Sequence, residues 1–199
     1  MYKILAAFAA VLILSACTTI ASYEGTRELR DVGSIAGSKI YVYSFLQVGR
    51  NAIGPGVLEN FDERLTQRLS ESSITVGFGN SSEVDPLDGQ ITAQPYDRRF
   101  RMPVTEIVDK NRGNEEAFGA AYRLLIVPRF LSMSPYSGDG GQYVVTWALV
   151  EIASEELVWQ TQLNGAYTPV IYDNERADER AALLVDGAIE EMRASGLLN

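Results

Sequence analysis

Apolar residues occupy both alternating sides of residues 39–46, KIYVYSFL, with Ile40 and Val42 on one and Tyr41, Tyr43 and Phe45 on the other. A β-branched and aromatic run of this kind predicts a strand covered on both faces. After Gly54-Pro55-Gly56 the period changes: Leu58, Phe61, Leu65 and Leu69 make an i, i+3, i+7, i+11 stripe. The stripe predicts an amphipathic helix of about five turns opened by Pro55. Glu59, Asp62 and Glu63 in its early turns, with Arg64 and Arg68 later, suit the helix dipole. Residues 74–78, ITVGF, predict a short second strand. A long polar stretch, 79–102, separates it from a second helix opened by Pro103, with Val104, Ile107, Val108 and Phe118 apolar. Gly113 predicts an interruption or kink of that helix, and Gly119 its end.

Residues 122–131 predict a third strand, apolar on both faces over Leu124, Leu125, Ile126 and Val127, with a bulge or edge at Pro128. SPYSGDGG, residues 134–141, is turn chemistry. Residues 143–153 and 157–167 flank Ser154-Glu155-Glu156 and read as a hairpin. In its second arm Trp159, Thr161 and Leu163 face one way, and Gln160, Gln162 and Asn164 the other. That predicts a wet sheet face or a polar contact surface, with Trp147 and Trp159 as core or sheet-face residues. A last helix, capped by Asp173 or Asn174, carries the stripe Ala177, Ala181, Leu184, Ala188 and Met192, and ends in a Schellman motif at Gly196-Leu197. The order β-α-β-α-β-β-β-α predicts an α/β (α+β) fold. We expect one mixed sheet flanked by helices, with residues 39–199 as a single globular domain.

The amino terminus follows a different rule. Lys3 precedes an uncharged apolar run over residues 4–14, shorter than the roughly 20 residues that a bilayer span requires. It has the form of a secretory signal. The run closes on Leu14-Ser15-Ala16-Cys17, which resembles the bacterial lipobox. The resemblance implies a signal peptide over residues 1–16, a diacylglyceryl group on Cys17, cleavage before it and N-acylation. Thr18 stands where an Asp would resemble an inner-membrane retention signal, so sorting to the outer membrane is expected. Residues 17–38 then read as the lipidated Cys and a polar tether, part of which can pack on the body, since Leu29, Val32 and Ile35 are apolar at helix-like spacing. The tether spans about 70 Å fully extended, or about 25 Å as a flexible coil. An acidic domain on such a tether is expected to hang away from an anionic surface.

Charge and composition remove whole classes of function. The chain has 199 residues, with 17 Lys+Arg against 26 Asp+Glu and a net charge of −9. That balance opposes a nucleic-acid partner. No His is present, which removes Ser-His-Asp and Cys-His catalysis and the HExxH zinc sites. The single Cys excludes an intrachain disulfide. The glycine cluster at 54–56 lacks the GxxxxGK[ST] of a phosphate loop, and the acidic residues lack calcium-loop spacing. No metal and no cofactor are expected.

One cluster stands out. Tyr96, Arg98, Arg99, Phe100 and Arg101 concentrate basic and aromatic side chains in the long polar stretch of an acidic chain. Arginine forks suit phosphate and carboxylate, and aromatics can hold a sugar or an acyl chain. The cluster reads as a contact loop for lipid phosphates, a glycan or an acidic partner, or as solvated charge with one aromatic anchor.

KIYVYSFL as first strand, FGAAYRLLIVP entering the third, and the hairpin EIASEELVWQTQLNGAY resemble a group of bacterial outer-membrane lipoproteins. The group comprises LpoB, the CsgG-like secretion lipoproteins, PelC and the TolB N-terminal domain. The resemblance covers residues 39–199 and implies structural positions without an active site. It implies a lipoprotein anchored in the outer membrane through Cys17, on its periplasmic face. The expected role is a non-enzymatic accessory or scaffold of an envelope assembly, of the secretion, polysaccharide-export or peptidoglycan-synthesis type. The partners are then the membrane and an envelope protein, with a homo-oligomer left open. The alternative is a binding module for an envelope lipid or glycan, and the third reading is an enzyme built on a carboxylate site.

Overall fold

A computed structural model describes residues 20–46, 56–58, 60–79, 104–133, 141–167 and 177–199. The elements are β1 (Ile20–Glu28), β2 (Lys39–Ser44), α1 (Phe61–Ser70), β3 (Thr75–Phe78), α2 (Val104–Phe118), β4 (Tyr122–Met133), β5 (Gly141–Glu151), β6 (Glu156–Tyr167) and α3 (Ala177–Ala194). The strands form one mixed six-stranded sheet in the order β1-β6-β5-β4-β2-β3. From residue 39 onward, order and architecture are those predicted.

The two faces of β2 explain the layering. Ile40 and Val42 enter the main core with Phe61, Leu65 and Leu69 of α1 and with Leu184, Val185, Ala188 and Met192 of α3. Tyr41, Tyr43 and Phe45 enter a second core with Ile107 and Val108 of α2. The chain passes from β2 through α1 to β3, then through α2 to β4. Both β3 and β4 lie parallel to β2. The two crossovers put their helices on opposite faces of the parallel part, as doubly covered parallel strands require. β4, β5 and β6 then form an antiparallel meander. Its register shifts between Pro128 and Phe130, where the missing N–H of proline cannot extend the ladder.

Three expectations are corrected. First, the segment expected as a tether carries β1, which pairs antiparallel with β6 from Ile20 opposite Ala166 to Glu28 opposite Trp159. Ile35, further along the same segment, is only 2% exposed and belongs to the main core. The body therefore already includes the described residues from Ile20 on, ahead of residue 39. β1 had no period-two apolar signature because it is an edge strand whose register shifts between Glu24 and Arg27. Its hold on the body comes from Tyr23. The Tyr23 hydroxyl donates to the Leu184 carbonyl of α3, and its ring fills the space that a Cβ on Gly187 would need. Thr26 adds a 2.8 Å hydroxyl pair with Thr161 and a hydrogen bond to Glu191 of α3.

Second, α1 starts at Phe61 and has 10 residues, shorter than the five turns expected from Pro55. Gly56 has φ of 75°, in the left-handed region that a right-handed helix cannot contain. Third, Gly113 does not break α2, which runs unbroken from Val104 to Phe118. A glycine in an exposed helical position costs only about 1 kcal/mol. Buried Ile107, Val108 and Glu115 pin this helix on either side of it. The helix ends as predicted at Gly119, whose N–H donates to the Glu116 carbonyl at 2.9 Å. The carboxyl end of α3 is the Schellman motif: Gly196 N–H donates to Arg193 O at 2.9 Å, and Leu197 N–H to Met192 O at 3.0 Å.

Candidate functional site

Cys17 and the residues Tyr96, Arg98, Arg99, Phe100 and Arg101 lie outside the described residues. What the structure does place is the framework from which they leave. Ile20 pairs with Ala166, which pairs with Gln142, which pairs with Ser132. The amino end of β1, the carboxyl ends of β6 and β4 and the start of β5 therefore share one end of the sheet. β2 and β3 run parallel to β4, so their carboxyl ends, Ser44 and Phe78, lie there too. Phe78 and Val104 bracket the long connection that holds Tyr96, Arg98, Arg99, Phe100 and Arg101. In open sheets with helices on both faces, ligands gather at the carboxyl ends of the parallel strands.

The second sheet face is divided. Over β2 and β4 it is closed by α2, with Tyr41 against Phe118 at 5.8 Å between ring centroids. Over β6 it carries the predicted polar row. Trp159, Thr161 and Leu163 are buried against the helices, while Gln160 and Asn164 are half-buried and Gln162 is exposed on the other side. Gln162 donates to Asn164 Oδ1 at 3.1 Å. Both tryptophans sit in the main core; Trp159 Nε1 donates to Ser195 Oγ at 3.0 Å.

The opposite end of the sheet holds ionic chemistry that sequence reasoning missed. Arg123 on β4 is 4% exposed and Glu115 on α2 is 1% exposed. They meet as a two-pronged pair, Nε to Oε1 at 2.8 Å and Nη2 to Oε2 at 2.6 Å. Arg123 Nη1 also donates to Glu155 Oε2 at 3.0 Å. Arg112 donates to Glu155 Oε1 at 3.1 Å. Burial alone would lower the Arg123 pKa, but the hydrogen bonds to Glu115 and Glu155 carry it above the ordinary arginine value. The Arg123 hydrogen bond holds the Glu155 carboxyl below its ordinary value. Beside them, Arg30 clamps Glu151 and Glu156 at 2.6 Å each. Arg68 and Arg193 converge on Glu71, at 2.6 Å and 2.9 Å. Apart from Arg68 and Glu71, which are three residues apart, the partners come from separate places in the chain, so no local motif announces them.

This arrangement locks charge in place. Both Glu115 oxygens accept from Arg123, so the buried carboxylate and guanidinium satisfy each other. Among the described residues, no group of three or more His, Cys, Asp or Glu is placed to hold a metal ion. A shallow cleft of about 240 Å³ lies between α1 and α3, lined by Asn60, Glu63, Arg64, Gln67, Asp178 and Ala181. Asn60 bonds across it to Asp178. Its volume falls below the roughly 300 Å³ at which small-molecule sites begin. Among the described residues, no helix is long and apolar enough to cross a membrane.

No protein-family model matches the chain, and no curated protein matches it either. Among solved structures, it is similar to the PelC dodecamer from Paraburkholderia phytofirmans at 10% identity and a TM-score of 0.47, covering 87% of this chain and 97% of that one. It is also similar to a point variant of the same dodecamer, at 11% identity and a TM-score of 0.44, covering 87% and 99%. PelC belongs to the group that the strand and hairpin sequences resemble.

Proposed function

We propose that the chain is a lipoprotein of the outer membrane, held on the periplasmic face through Cys17. In this reading it acts without catalysis, as an accessory or scaffold of an envelope assembly such as polysaccharide export. The observation that carries the reading is Cys17 itself. The only cysteine of the chain stands at the acceptor position of Leu14-Ser15-Ala16-Cys17, after a run too short to span a bilayer. Acylation at one cysteine by three chains exceeds the two-signal threshold for stable anchoring. A contact role is supported by the long connection that leaves from the carboxyl ends of the strands and by the polar row on β6. That row also favours the second reading, a module that binds a glycan or lipid directly.

The test compares wild type with Cys17→Ala. Wild type is expected in the outer-membrane fraction, with the mass of a triacylated chain beginning at Cys17, and Cys17→Ala as an uncleaved, unlipidated precursor. Recovery of mature Cys17→Ala protein as firmly membrane-bound as wild type would sink the anchor. A mild pull-down separates the two roles: a stoichiometric envelope protein supports the scaffold, and a co-purifying small molecule supports the ligand module.

A further inference from the structure

We infer that the end of the sheet bearing Ile20, Gln142 and Ala166 is the membrane-facing pole of the molecule, seated against the bilayer that holds Cys17. This rests on the anchor reading above. Two residues, Thr18 and Thr19, separate Cys17 from Ile20, the first described residue paired into the sheet. The three steps from Cys17 to Ile20 reach about 10 Å at full extension. The segment expected to suspend the body is instead taken up by β1, buttoned to β6 by its ladder and to α3 by Tyr23 and Thr26. A body fixed within about 10 Å of its acyl chains has no freedom to present its far end to the membrane. β5 runs 11 residues from this pole to Glu151, so the Glu151–Glu156 turn stands about 35 Å further out.

Charge selects the upright pose over one lying on its side. The leader contributes a single cation, Lys3, so the chain starting at Cys17 changes from −9 to −10. Broadside contact with anionic lipid is repulsive for such a body. Attachment at one pole confines that repulsion to the smallest area.

The thiol of Cys17 is consumed by its thioether, so an introduced cysteine is the only free thiol. Two variants of the full lipidated chain serve: Gln142→Cys at the proposed pole and Ala153→Cys in the far turn, both at exposed positions. Each is labelled with a fluorophore and reconstituted in phosphatidylethanolamine–phosphatidylglycerol vesicles containing a headgroup-nitroxide lipid. Quenching at Gln142→Cys is expected to exceed that at Ala153→Cys at least fivefold. Equal quenching at both sites means a side-lying body. Stronger quenching at Ala153→Cys, or none at either, means an inverted or suspended one. Each of these results overturns the proposal. A further variant with twenty Gly/Ser residues inserted between Thr19 and Ile20 is expected to lose the quenching at Gln142→Cys. Undiminished quenching there would show that the body adheres by its own surface, which overturns the short connection as the cause. Mass spectrometry of the same samples separates the two levels. A chain without acyl groups removes the anchor reading and this proposal with it; an acylated chain with the wrong quenching order removes only the proposal.

Discussion

The two ends of the sheet are built on opposite plans. At the end where β1 begins, the chain makes its long connections: from Ser44 to Phe61, Phe78 to Val104, Met133 to Gly141 and Tyr167 to Ala177. At the other end it turns tightly, from Ser70 to Thr75, Phe118 to Tyr122 and Glu151 to Glu156. The one longer connection there, between β1 and β2, is pinned by Leu29 N–H on the Val158 carbonyl and by Ile35 N–H on the Leu197 carbonyl, both at 2.9 Å. Three arginine–glutamate clusters, centred on Arg123, Arg30 and Glu71, lace this second end. The contrast teaches where each kind of substitution will register. Tight turns and ion pairs carry stability, and long connections on a rigid frame carry contacts with other molecules.

β1 joins the two ends, and removing it should produce the largest effect. A chain starting at Gly37 loses the β1–β6 ladder, the Tyr23 and Thr26 contacts with α3, and Ile35 from the core. It is expected to lose cooperative thermal unfolding by circular dichroism, whereas a chain starting at Thr18 keeps it. Equal transitions in the two would return β1 to the status of a tether.

The next effect is a difference between the ends. Glu115→Ala leaves the Arg123 guanidinium buried without its main partner. It is expected to lower the free energy of unfolding by about 3–5 kcal/mol in a denaturant titration. Replacing Arg98, Arg99 and Arg101 together by serine is expected to change stability by no more than about 0.5 kcal/mol while failing to complement a deletion strain. If the triple variant loses as much stability as Glu115→Ala, the division of labour between the ends is wrong. If it complements fully, the arginines are solvated charge.

The smallest effect is acid sensitivity. Glu71, Glu151 and Glu155 all have carboxyls held below the ordinary glutamate value of 4.5. For Glu71 the Arg68 hydrogen bond leads, for Glu151 the Ser154 hydroxyl then Arg30, and for Glu155 Arg123. A lowered folded-state pKa stabilises above the unfolded value and is lost as pH falls through the folded one. The melting temperature should therefore be flat above about pH 5 and fall below 4.5. Because these groups are exposed, the Glu155→Gln variant should soften that fall by only a few degrees. A melting temperature that is level down to about pH 3 would show that these pairs contribute nothing.

What the chain made legible followed physical period. Strands covered on both sides, such as β2, and stripes such as Ala181-Leu184-Ala188-Met192 announce themselves, because burial dictates every position. Pro128 marked its bulge for a covalent reason. β1 was illegible because an edge strand needs one good contact, Tyr23, more than it needs alternation, and that contact depends on Gly187 far along the chain. Glu115 and Arg123 were unreadable as a pair for a related reason. Each looks like surface charge until α2 is laid across β4. Of the candidate site, the sequence offers Cys17 and the cluster of Tyr96, Arg98, Arg99, Phe100 and Arg101, both outside the described residues, and the topology supplies the ends of the segments that hold them.

The pairing of β1 with β6 also sets an order in time. Tyr23 and its acceptor Leu184 are 161 positions apart, and β1 lies near the start of the chain while β6 and α3 lie near its end. A chain delivered from its amino terminus brings out β1 first and its partners last. Until Tyr167 and α3 have emerged, β1 has neither a ladder nor a helix to rest on. Sequence separation alone thus leaves β1 unpaired for as long as the rest of the chain takes to arrive.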